Sequence, residues 1–195
     1  MKKFLPSLVI ALLFTATGAF ADTLTFTGQT ANGVNGPYGL SLNGGPTTPM
    51  ICFSDSNFIQ ANETWNVQGY NINQIGSITG AFAGTTTQYN ELGYLANELF
   101  ANPGDGNLQN AIWYVLGTGG ANNADYLNAV NYVTSHPGFQ TTDEFYIPTG
   151  PNLPEVDGRP PQPFIAQGVP EPSSFLLLGG GLLGLLALSF KRAAA

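Results

Sequence analysis

Histidine and cysteine occur once each in the 195 residues, at His136 and Cys52, and lysine and arginine together only five times. A single cysteine excludes any intramolecular disulfide, so the fold has to be held by its core alone. Acid-base or metal chemistry built on this one histidine would need partners that the sequence does not supply. His136 stands before a proline at a helix end, where a base beside the last carbonyls is ordinary. The bases sit at positions 2, 3, 159, 191 and 192. From Asp22 to Pro172, Arg159 is the one base against all twelve acids, a formal charge of −11. Nucleic acid is excluded as a partner, because binding to phosphates depends on basic groups that displace counterions. Charged residues make up only 9% of the chain, so solubility rests on uncharged Asn, Thr, Ser and Gly, as suits an exported surface or matrix protein better than a cytosolic enzyme. No cofactor or metal is expected: Asp105-Gly106-Asn107 lacks the alternating oxygen ligands and distal Glu of a calcium loop and reads as a helix cap. The carboxylates of Asp143 and Glu144, if on a strand, point to opposite faces and do not form a hydrolytic pair. The chain is therefore expected not to be an enzyme.

What the chain has in plenty lies at its ends. Lys2 and Lys3, the apolar run Leu5 to Phe14 and the small-residue site Ala19-Phe20-Ala21 read as a signal peptide over 1–21, cut by signal peptidase before Asp22. At the other end Ser174 to Phe190 is a run of 17 apolar or small residues ended by Lys191 and Arg192. At about 1.5 Å per residue it is a short membrane-spanning helix, and the basic pair acts as a stop on the cytoplasmic side with the body outside. The stretch from Pro148 to Pro170 holds seven prolines in 23 residues and reads as an extended spacer, 148–168, between a globular domain, 22–147, and the tail, 169–195.

Val169-Pro170-Glu171-Pro172, followed by Ser173-Ser174-Phe175, a Gly/Leu helix and Lys191-Arg192, resembles the PEP-CTERM sorting domain of Gram-negative, polysaccharide-producing bacteria. The resemblance implies a membrane-embedded exosortase as partner. It also implies transient or permanent membrane anchoring, cleavage near the Pro-Glu-Pro motif, and release toward the cell surface or extracellular matrix, with exopolysaccharide as a further partner.

Between the ends, short β-prone runs separated by Gly, Asn and Pro turns predict strands at Thr23 to Thr27, Tyr38 to Leu42, Met50 to Phe53, Thr64 to Tyr70 and Ile75 to Phe82. From Gln88 the period changes. Leu92, Leu95, Ala96, Leu99 and Phe100 fall on one helical face, as do Leu108, Ala111, Ile112, Val115 and Leu116, and a third helix is predicted over Asn123 to Ser135. Asp143 to Ile147 returns as a strand. The expected fold class is α+β: an antiparallel sheet or sandwich in the N-terminal half, then about three amphipathic helices, plus the C-terminal transmembrane helix.

Two residues stand out chemically. Cys52 lies in the apolar strand Met50-Ile51-Cys52-Phe53, and Gln109 opens a helix in Leu108-Gln109-Asn110-Ala111-Ile112-Trp113. Together they resemble the thioester domains of bacterial surface adhesins, in which a Cys joins the Gln of a T-Q-x-A-[IL]-W motif; Leu108 stands here in place of the Thr. The resemblance implies a buried acyl thioester between Cys52 and Gln109, opened by nucleophiles of a host or matrix. The 23 aromatic residues allow another reading, a carbohydrate-binding module using Trp65 and Trp113 as stacking faces. The leading expectation is a structural or adhesive protein of exopolysaccharide or biofilm.

Overall fold

The computed structural model describes residues 21–29, 35–151 and 153–168. Six antiparallel strands, β1 (Asp22–Gln29), β2 (Tyr38–Leu42), β3 (Thr47–Cys52), β4 (Thr64–Tyr70), β5 (Glu144–Pro148) and β6 (Phe164–Ala166), close into a barrel in the order β1-β2-β3-β6-β5-β4. Three helices, α1 (Thr86–Ala101), α2 (Gly106–Val115) and α3 (Ala124–Ser135), lie between β4 and β5 in the chain.

Alternation along the strands divides the apolar residues between two cores. Leu24, Leu40, Met50, Cys52, Trp65, Val67, Tyr146 and Phe164 fill the barrel interior, joined by Trp113 from α2. The residues between them in β3, β5 and β6, Ile51, Phe145, Ile147 and Ile165, face outward onto Tyr89, Leu92, Leu95, Leu99, Ala111 and Ile112 of the helices. Strands covered on both faces read as unbroken apolar runs, which is why Met50-Ile51-Cys52-Phe53 and Phe145-Tyr146-Ile147 show no polar alternation. On the uncovered wall β4 alternates exposed and buried from Thr64 to Gln68.

This architecture overturns the expected α+β chain with its sheet confined to the N-terminal half. The sheet is a closed barrel, and two of its six strands follow the helices. β6 pairs with β3 through Ile51–Ile165 and with β5 through Phe145–Ile165, so the last strand of the described chain is the stave that closes the wall. It lies within 148–168, the stretch expected to be a spacer. The expectation failed because proline loses only its donor and keeps its carbonyl. Pro163 accepts from the Phe53 N–H at 3.2 Å, Pro160 from Phe58 N at 3.1 Å, and Pro161 from Asn57 Nδ2 at 3.0 Å. A second correction falls on Ile75 to Phe82. Instead of a strand, Ile72–Ser77 and Gly80–Phe82 are short 3-10 turns. Asn71 and Gln74 form a reciprocal capping box, and Ile72, Ile75 and Ile78 recur every third residue, the period of that helix, with all three buried.

Strand direction gives the barrel two distinct ends. β3 runs from Thr47 to Cys52, about 16 Å at 3.3 Å per residue. β6 runs the opposite way, so the chain leaves the barrel toward the Thr47 end and away from Cys52. The Gly168 N–H, two residues past β6, donates to Asp143 at 3.1 Å and ties the exit point down. Among the described residues no helix is long and apolar enough to cross a membrane; the expected span, 174–190, lies outside them.

Candidate thioester site

Asp105 starts the site. Its carboxylate accepts from Asn107 N at 2.8 Å and Leu108 N at 3.3 Å and so begins α2 at Gly106, the capping role its sequence suggested. Four residues apart on α2, Gln109 and Trp113 share a helix face, while Ala111, Ile112 and Val115 are committed to the outer core. The Gln109–Trp113 face closes the Cys52 end of the barrel.

There the two residues singled out by sequence meet. Cys52 and Gln109 are both fully buried. The Gln109 carboxamide spans two backbone groups: Nε2 donates to the Cys52 carbonyl at 2.9 Å, and Oε1 accepts from the Gly36 N–H at 3.0 Å. Trp113 Nε1 donates to Cys52 Sγ at 3.4 Å, and Tyr38 shares a side-chain hydrogen bond with the same thiol. Burial pushes the Cys52 thiol up to about 11, against the hydrogen bonds from Trp113, Tyr38 and the Ser54 backbone, which pull it down. Tyr38 is itself driven up, first by burial and then by the neighbouring Cys52.

The frame around this pocket is specific. Gly36 is held by its carbonyl accepting from Gly104 N at 3.0 Å. A Cβ there would stand 3.1 Å from Gln109 Oε1 and 3.3 Å from the Tyr38 ring, so any other residue would crowd the carboxamide unless these side chains gave way by a few tenths of an ångström. On the other side Thr118 Oγ1 donates to Phe53 O at 2.9 Å and reaches Trp113 O at 3.0 Å, linking the residue after Cys52 to the helix that carries Gln109. Gly36 and Tyr38 were not singled out from sequence, since Asn35-Gly36-Pro37 reads as an ordinary turn. Nothing local marks Gly36 as a donor to a side chain 73 positions away.

The arrangement has the parts for acyl transfer from the Gln109 amide. A backbone N–H already sits on the carbonyl oxygen, where negative charge would develop, and a sulfur nucleophile lies in the same buried pocket with an indole N–H to stabilise its thiolate.

The other residues considered have different places. His136 is exposed at the end of α3, its Nδ1 2.9 Å from the Tyr132 carbonyl and its ring stacked on Tyr132 at 4.3 Å, far in the fold from Cys52. Trp65 and Trp113 are 2% and 8% exposed, so neither offers a ring face to a sugar. Asp143 is buried, receiving Thr141 Oγ1 at 2.7 Å, whereas Glu144 is exposed on β5. Ala21, of the cleavage site, is the first described residue; Ala19, Val169, Pro170, Glu171, Pro172, Lys191 and Arg192 lie outside the described residues.

No curated protein and no solved structure matches the chain. Its tail does match: residues 168–192 fit the PEP-CTERM protein-sorting motif, beginning at the Gly168 whose amide is tied to Asp143. The chain is thus an exported protein whose C-terminal tail directs exosortase-dependent sorting at the membrane.

Proposed function

We propose that the body is an adhesive module of the cell surface or extracellular matrix, in exopolysaccharide or biofilm, and that it attaches covalently through a thioester between Cys52 and Gln109. The observation that carries this reading is the doubly held, fully buried carboxamide of Gln109 beside the thiol that Trp113 contacts. In the proposed step Cys52 Sγ attacks Gln109 Cδ, and the carbonyl oxygen becomes an oxyanion on the Gly36 N–H. The C–N bond then breaks, and the nitrogen leaves as ammonia with the proton given up by the thiol. A later nucleophile attacks the same carbon, the C–S bond breaks, and the thiol takes back a proton. Each molecule bonds once and does not turn over, so this is attachment and not enzymatic catalysis.

The topology supports such a role. The chain leaves the barrel at the end opposite Cys52, so a body still tethered by its tail presents the bond away from the bilayer. The test is the intact mass of the protein recovered from the native membrane and medium. Loss of one ammonia relative to the sequence, restored by Cys52→Ala, is the expected result. An unmodified mass, with Cys52 alkylated as soon as the chain is denatured, sinks the covalent reading and leaves a noncovalent structural protein.

A further inference from the structure

The end of the barrel where the chain exits is hollowed into a groove of about 910 Å³, within the size range of small-molecule sites, which recur in barrel mouths. Its apolar surface comes from Leu42, Pro46 and Pro49, while Met50 and Tyr146, which also line it, are buried. Its rim carries Asn73, Gln140, Thr142 and Glu144. We infer that this groove is a binding site for a neutral oligosaccharide.

Three properties of the lining select that ligand. The rim is polar and its hydrogen-bonding capacity is unspent: among the described residues, the side chains of Asn73, Gln140 and Thr142 have no hydrogen-bond partner within the protein. Each side-chain amide offers both donors and an acceptor, the complement of vicinal hydroxyls, which are themselves donors and acceptors. Glu144 is prepared in the same way. Its Oε2 takes the Tyr146 hydroxyl at 2.5 Å, which fixes the carboxylate and leaves Oε1 to accept from a ligand. The apolar side chains that do reach the groove surface, Leu42, Pro46 and Pro49, suit the C–H face of a pyranose.

Charge and topology dispose of the alternatives. Glu144 is the one charged residue lining the groove, and from Asp22 to Pro172 Arg159 is the one base, so a polyuronate or other polyanion meets repulsion with no cation to offset it. An extended peptide binds most readily by adding a strand to a free sheet edge, and here the barrel leaves only the three residues Thr47–Pro49 of β3 unpaired on the β6 side, where Pro49 has no N–H to give. This site lies at the opposite end from Cys52 and does not depend on the thioester.

The full chain, held in a detergent without a sugar headgroup, is titrated calorimetrically with neutral hexaoses of glucan, galactan and mannan, and with a hexauronate. The expected result is binding of at least one neutral hexaose, weakened about tenfold or more by Asn73→Ala or Glu144→Gln, and no binding of the hexauronate. Both substitutions are at exposed positions, and an unchanged melting temperature verifies that the barrel is intact. Cys52→Ala binds the same hexaose equally well. The proposal is overturned if no neutral hexaose binds, if the hexauronate binds as well, or if both groove variants bind as the parent does.

Discussion

Thioester formation should follow the ionisation of Cys52 and be slowed by removing one hydrogen bond. The attacking species is the thiolate, and burial places this thiol at about 11. At pH 7 about one molecule in ten thousand carries the thiolate, and at pH 9 about one in a hundred. Ammonia release therefore rises about tenfold per pH unit and levels only near 11. The Trp113 indole N–H, 3.4 Å from Sγ, favours the charged form and lowers the pKa. A hydrogen bond to a charged group contributes about 1.5–3 kcal/mol, or roughly one to two pKa units. Trp113→Phe keeps an aromatic ring in the pocket and deletes the donor. It should raise the thiol further, slow ammonia release at pH 8 about ten- to a hundredfold, and shift the levelling point upward by the same one to two units. The assay starts from chain refolded out of denaturant at pH 5, where the thiolate is scarce, and jumped to each final pH. Ammonia is read by a coupled assay and the product by mass. A rate independent of pH between 7 and 10, or a Trp113→Phe rate equal to the parent's, refutes the assignment of Cys52 as nucleophile and Trp113 as its stabiliser.

Two further outcomes concern the scaffold. Gly93 of α1 faces Thr141 so closely that an added Cβ would stand 2.2 Å from Oγ1 and 2.4 Å from Cβ. Gly93→Ala should therefore destabilise by about 1–3 kcal/mol in urea denaturation through overpacking, despite the gain of roughly 1 kcal/mol that alanine brings to a helix interior; a net gain in stability would show that the Thr141 loop yields freely. A chain ended after Gly168 should keep the far-ultraviolet circular dichroism and protease resistance of the parent body. One ended after Gln162 loses the fully buried Phe164 and Ile165, worth about 1.5–3 kcal/mol each, and opens the barrel. Equal protease resistance of the two would return 148–168 to the status of a spacer.

How much of this was legible in the sequence depended on whether the signal was local. The three helices were readable because their apolar residues repeat at helical spacing and their caps, Thr85, Asp105 and Asn123, are side chains that accept from the first-turn amides. The sorting tail was readable for the same reason, as a linear motif. Barrel closure was not. β6 is three residues long, lies between prolines, and acquires its meaning only from Ile51 and Phe145, residues 114 and 20 positions earlier. Cys52 and Gln109 were identified by resemblance, yet their contact is a long-range fact, 57 positions apart. The Gly36 amide that completes the site leaves no trace in the sequence at all, because a backbone donor carries no residue signature. Trp65 and Trp113 misled for a related reason: composition reveals how many large rings there are, and only packing decides which face water.

The charge pattern bears on what a reactive bond in this body could meet. All three lysines, Lys2, Lys3 and Lys191, sit in the leader or the tail. A molecule cut before Asp22 and near Pro172 then carries no side-chain amine at all, and its one primary amine is the terminus at Asp22. That residue opens β1, which is antiparallel to β2 and so runs in the direction of β3, opposite to β6, and it therefore starts toward the exit end and away from Cys52. Amines are far better nucleophiles toward an acyl thioester than water or hydroxyls, and neighbouring copies packed in a matrix would present lysines at high local concentration if the body had any. On the thioester reading, their absence keeps the bond from being spent on sister molecules. The strongly acidic surface acts in the same direction, since like charge slows the approach of one body to another while drawing in cationic partners.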